Sequence, residues 1–239
     1  MSIALWVLAL AITAGAATIQ GTVGIGFAMV SVPILSLIDA RLAPVPQLII
    51  VLPLTLSMAW RERHSIDLSG FWWIIFGRIP GAIAGIALLT VASQQTLDVF
   101  IGIVVLLAVA IIATGVHVRR TSVTQFTTGV ASGTTGIVAS IGGPAIALLY
   151  SSAEARTIRP TIAAIFTIGI SMSLFFRALS GNISSSDFAV SAVLFPAVIA
   201  GYLLSSLLKD RIPTERVRVA ILVISAAAAV GLLVRAFIG

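Results

Sequence analysis

Eight apolar stretches fill almost all of this 239-residue chain, at 3–37, 42–60, 71–91, 99–116, 124–150, 161–180, 188–208 and 219–237. A helix needs about 20 apolar residues to cross the hydrocarbon of a bilayer. In lipid every backbone polar group must be satisfied internally, which leaves helices or closed barrels as the only spanning structures. Charged residues are 9% of the sequence and mean hydropathy is +1.17. The expectation is an all-α polytopic membrane protein with no soluble domain. The first stretch lacks a basic leading segment and a cleavage site, so it reads as part of the mature chain and not as a secretory signal.

Two stretches, the first and the fifth, are interrupted by glycines in the same way. GTVGIGFAMVSVPILSL at 21–37 aligns without a gap on GTTGIVASIGGPAIALL at 133–149, with identities at Gly21/Gly133, Thr22/Thr134, Gly24/Gly136, Ile25/Ile137, Ile34/Ile146 and Leu37/Leu149. Further matches follow in the same order: Ile66 with Ile183, PGAIAG at 80–85 with PAVIAG at 196–201, and TLDV at 96–99 with TERV at 214–217. One such match means little in so biased a composition, but a series in one order reads as duplication. The predicted repeats are 1–118 and 119–239.

The basic residues orient the repeats. If all eight units crossed, Arg61, Arg63, Arg119, Arg120 and Arg235 would lie on one side against Arg41, Arg156, Arg159, Lys209, Arg211, Arg216 and Arg218 on the other, which is no bias. If the first unit of each repeat dips in and returns, only Arg41 and Arg235 are outside and the other ten are cytoplasmic, as the positive-inside rule requires. Length agrees, since the 30 residues at 124–153 make about 45 Å of helix, too short for two crossings of a core of about 30 Å. Each repeat is then a broken or re-entrant helical hairpin plus three transmembrane helices. Three crossings is an odd number, so the repeats are inverted, with both termini outside and the hairpin tips near or past mid-membrane. The loop at 93–98 carries no Lys or Arg while its counterpart carries four, the opposite biases that inversion demands.

The tips carry the chemistry. A helix beginning inside the membrane has N–H groups without intrahelical partners and a partial positive charge, which favours an anion. Gly142-Gly143-Pro144 suits this, with Pro144 at the first helical position, where no donor is lost. Gly24 and Gly26 are the counterparts, and Pro33 is a second irregularity. Gln20, Thr22, Ser31, Thr134, Thr135 and Ser140 are nearby neutral hydrogen-bonding groups. The competing explanation is that the small residues only let helices pack closely. Arg78, about 12 Å into the third unit, is the one deep charge, and such charges mark function or snorkel to the headgroups. Arg177, four residues before Gly181, is placed to snorkel to the outer surface. No Asp or Glu lies deep in a span, which disfavours a carboxylate relay or a cation carrier. Duplicated breaks of this kind point to a secondary transporter working by alternating access.

Other classes find little support. Zero cysteines exclude thiolate chemistry, and His64 and His117 lie at span ends without acidic company, so neither a metal, a cofactor nor a catalytic residue is expected. An intramembrane enzyme acting on lipid or peptide would need such groups at one depth. A non-transporting scaffold needs no site and stays open. The net charge of +6 mostly reflects cytoplasmic loops at anionic headgroups, not a nucleic-acid surface. Trp6, Trp60, Trp72 and Trp73 near span ends read as an aromatic belt.

Gly24-x-Gly26-Phe27 with Pro33, the 133–136 segment leading to Gly142-Gly143-Pro144, Ile66-Asp67 and the 80–85 stretch together resemble the TauE/SafE family of sulfite exporters and related anion permeases. The resemblance covers essentially the whole chain. It implies a multi-pass protein of the cytoplasmic (inner) membrane that moves sulfite, a sulfonate or another small organic or sulfur-containing anion, driven by an ion gradient with H+ or Na+ as coupling ion. A homo-oligomer is left open. The chain departs from the family pattern at Gly26-Phe27-Ala28, where many members carry a denser glycine run.

Overall fold

Local sequence signals begin and end the helices of this computed structural model, which describes residues 1–114, 118–150, 155–208 and 214–238. Side chains at 155–156 and 214–216 lie outside that description, as do all of Lys209, Arg211 and His117. Ser2 caps α1 (Ile3–Val23) by accepting from the Leu5 N–H, and Gly24 ends it in the left-handed region at φ 95°. Gly26, at φ 116°, then starts α2 (Phe27–Ile38). A turn at Ala40–Leu42 leads to α3 (Val45–Arg61), followed by α4 (Phe71–Val91) and α5 (Gln94–Thr114). The second half runs α6 (Ser122–Ala139), α7 (Gly143–Leu149), α8 (Ala155–Leu179), α9 (Ser185–Leu208) and α10 (Thr214–Ile238). A capping box between Thr121 and Thr124 opens α6.

Every described element is helical, and seven helical stretches are long and apolar enough to cross a membrane. Large apolar side chains such as Leu56, Phe76, Ile83, Leu107, Leu203 and Val223 face outward, while Thr13, Arg78, Asp98 and Arg177 are buried. That inside-out distribution suits lipid.

Both glycine breaks are hairpins with unequal limbs. The 21 residues of α1 are about 31 Å long, enough to cross by itself, whereas the 12 of α2 give about 18 Å. The second hairpin has an 18-residue first limb and a 7-residue return. One expectation is corrected at 93–98: α5 already begins at Gln94, so only Ala92 and Ser93 join it to α4, and Asp98 lies inside a helix and is buried.

Helices pair across the two halves. α4 and α6 run parallel and so close that a Cβ on Gly77 would lie 2.1 Å from the Phe126 carbonyl oxygen, and one on Gly81 2.3 Å from that of Val130. The equivalent pair by repeat position, α9 and α1, also runs parallel, with Gly201 against Ala14 and Gly21 against Ser205. Two further equivalent pairs are antiparallel. In α5 and α10, Gln95 donates to the Ala236 carbonyl at one end and Arg218 to that of Ile112 at the other. In α3 and α8, Glu62 meets Arg159 at one end while Leu48 and Ser173 line one cavity towards the other.

Candidate functional site

Each hairpin tip is braced by a polar side chain from its own first limb. Gln20 donates from Nε2 to the Gly24 carbonyl at 2.9 Å and accepts the Phe27 N–H at Oε1, so both ends of its amide hold the first tip. Ser132, the residue 112 positions on, donates to the Gly142 carbonyl at 2.7 Å and holds the second. Ser140 turns that tip in the left-handed region at φ 60° and donates to the Pro44 carbonyl.

Between the tips lies a cavity of about 50 Å³. Since one water needs about 10–15 Å³ of such space, it holds a few waters or one small oxyanion. The first tip contributes Gln20, Gly26 and Ala28, and the second Ser140, Gly142, Gly143 and Pro144. α3 adds Leu48, Val51 and Thr55, α8 adds Phe166, Ile170 and Ser173, and α4 adds Arg78.

Arg78 gives the cavity its charge. It is 3% exposed, its Nη1 donates to the Ser132 Oγ at 2.5 Å, and its Nε has no hydrogen-bond partner. No carboxylate among the described residues is within ion-pair distance of it. Burial excludes the alternative of snorkelling to the headgroups. A buried guanidinium without a countercharge is costly, and such charges mark functional positions. At the corresponding position of the second half, 116 residues on, stands Leu194, also buried and uncharged.

The structure thus gathers Gln20, Gly26, Arg78, Gly142, Gly143 and Pro144 around one space. Ser140 also lines it, and five other candidates stand off it. Gly24 caps α1 beside Arg159. Thr22 bonds back to the Thr18 carbonyl, Thr134 bonds to the Gly81 and Val130 carbonyls within the α4–α6 contact, and Thr135 bonds to the Ala131 carbonyl at the surface. Ser31 is buried with an unpartnered hydroxyl away from the cavity. Pro144 is the second helical residue of α7, not the first.

Sequence reasoning missed Ser132, Phe166, Gly169 and Ser173. Ser132 was within reach, because the repeat alignment sets it opposite Gln20. Arg177 corrects the snorkelling expectation: it is 4% exposed and donates to the Ile137 and Val138 carbonyls at the end of α6.

Ion pairs fasten the return limbs of both hairpins at their far ends. Beyond α7, Arg120 bonds Asp67 at 2.7 Å and lies over the Tyr150 ring. Burial acts to raise the Asp67 carboxyl, but the Arg120 bond and the Ser69 N–H outweigh it and hold it below the ordinary carboxylate range. At the end of α2, Arg235 pairs with Asp98 at 2.6 Å and donates to the Ser36 carbonyl.

A family model described as Sulfite exporter TauE/SafE matches residues 8–232 of the chain. No curated protein and no solved structure matches it.

Proposed function

The chain belongs to the TauE/SafE sulfite exporter family, and from that premise we propose that it is a secondary transporter that carries a small oxyanion, sulfite or a sulfonate, across the cytoplasmic membrane. The observation that carries this reading is Arg78, a buried guanidinium without a carboxylate partner among the described residues, lining a cavity to which both hairpin tips contribute. Gly26, Gly142 and Gly143 let the anion approach backbone, and Arg78 neutralises it.

The two halves, 1–118 and 119–239, act as inverted repeats that rock about the bound anion. The antiparallel course of the equivalent pairs α5/α10 and α3/α8 supports inversion, since helices related by an in-plane two-fold axis must run oppositely. Both return limbs are tied by ion pairs, Asp67 with Arg120 and Asp98 with Arg235. A coupled ion, H+ or Na+, supplies the driving force.

Uptake of labelled sulfite by proteoliposomes tests the reading. Saturable uptake above that of protein-free liposomes is the expected result. Its absence for sulfite and for short sulfonates would overturn transport and favour a scaffold, which moves nothing.

A further inference from the structure

Arg78 has an enclosure that nothing in its own helix provides. Three glycines from other segments surround its guanidinium; a side chain would collide with it at one and press tightly on it at the other two. A Cβ on Gly169 of α8 would lie 2.3 Å from Cζ, 2.5 Å from Nε and 2.7 Å from Nη2. A Cβ on Gly136 of α6 would lie 3.0 Å from Nη2, and one on Gly142 3.3 Å from Nη1. The guanidinium therefore rests directly on the backbone of α8 at Gly169.

The fourth contact fixes rotation. Ser132 Oγ accepts from Nη1 and donates its own O–H to the Gly142 carbonyl, tying the guanidinium to the second hairpin tip. Neither Nε nor Nη2 donates to a described residue. The uncommitted edge is thus the Nε–H and Nη2–H pair, two parallel donors spaced to meet two oxygens of one oxyanion.

We propose that Gly169 and Ser132 are the positioning residues of this anion site, holding the Arg78 guanidinium so that its uncommitted donors turn to the substrate as it binds. The inference rests on the transport reading above and adds how the charge is presented. A β-carbon at Gly169 meets the far end of a flexible side chain rather than backbone, so it turns the guanidinium away and leaves α8 in place. Gly169→Ala therefore behaves as a binding defect in a folded protein.

A double-mutant cycle on the full chain tests this, with sulfite as the probe. The apparent dissociation constant is read from sulfite-dependent thermal stabilisation of purified wild type, Gly169→Ala, Arg78→Ala and the double variant, and KM from proteoliposome uptake. Gly169→Ala and Arg78→Ala each weaken sulfite at least tenfold, and the double variant is within about twofold of Arg78→Ala alone. Ser132→Ala gives a smaller loss that shrinks in the Arg78→Ala background, the remainder reflecting its bond to the Gly142 carbonyl. Wild-type affinity in Gly169→Ala, or losses that multiply in the double variant, would overturn the positioning role while leaving transport intact. A wild type that neither binds nor moves sulfite would overturn the transport reading, and this inference with it.

Discussion

Arg177 grips the Ile137 carbonyl with two donors, Nε at 2.8 Å and Nη2 at 2.5 Å. Residues near a helix end have carbonyls without intrahelical partners and partial negative charge, so a guanidinium is well matched to them. At the other end of the same helix, Arg159 donates to the Gly21 carbonyl near the end of α1 at 2.6 Å. The two arginines are 18 residues, roughly 27 Å, apart along α8. One helix therefore holds the long limb of each hairpin and, between them at Gly169, seats the guanidinium of Arg78.

Removing Arg177 leaves those carbonyls unpaired in a buried setting. Arg177→Met should lower stability by about 2 kcal/mol, the scale of a hydrogen bond involving a charged group. Thermal unfolding of the purified protein reads it, and a melting point unchanged from wild type would mean that the bonds contribute nothing.

The α4–α6 contact tolerates no added atoms, because the neighbours of Gly77 and Gly81 are backbone oxygens that cannot turn aside. Gly77→Ala should cost about 1–3 kcal/mol by overpacking. Gly181→Ala has open space around it but a φ of 71°, so its cost is conformational only and should be smaller, about 1 kcal/mol. Equal melting points for the two variants would contradict the close approach.

The tie between Asp67 and Arg120 has a pH signature. The Asp67 carboxyl is held low in the folded protein, so its contribution is fully present above the unfolded value of about 3.9 and is lost as pH falls through the folded value. Melting points at pH 7 and pH 5 should show the same deficit for Asp67→Asn against wild type. The deficit should shrink only below about pH 4. A deficit that disappears between pH 7 and 5 would rule this linkage out.

Charge alone does not replace the guanidinium of Arg78. Arg78→Lys keeps a cation on a shorter, single-headed side chain and should lose at least tenfold in sulfite KM, nearly as much as Arg78→Ala. A lysine variant with wild-type KM would reduce the role of Arg78 to simple charge.

Much of the architecture was legible because glycine and proline mark breaks in apolar helices whatever the tertiary context. Gly24, Gly26, Ser140 and Gly142 do stand at the two hairpin turns. Limb lengths were less legible, since hydropathy runs unbroken through 3–23 and carries no mark of depth. Asp98 and Arg177 escaped because their partners are distant: Arg235 lies 137 residues away, and the Ile137 carbonyl belongs to a backbone that sequence does not distinguish. Gly169 escaped for a related reason. A single glycine in an apolar helix is common, and only the arrival of Arg78 from another helix gives it a purpose.

The claim that both tips build one anion site is tested most directly by perturbing each tip separately and measuring sulfite KM in proteoliposomes. Ala28→Phe fills the cavity from the first tip, and Gly142→Ala presses on Ser132 and Arg78 at the second, where its Cβ would lie 2.8 Å from the Ser132 hydroxyl. A rise of tenfold or more in KM for each variant is the predicted result. Wild-type KM in either folded variant would contradict a site shared by the two hairpins.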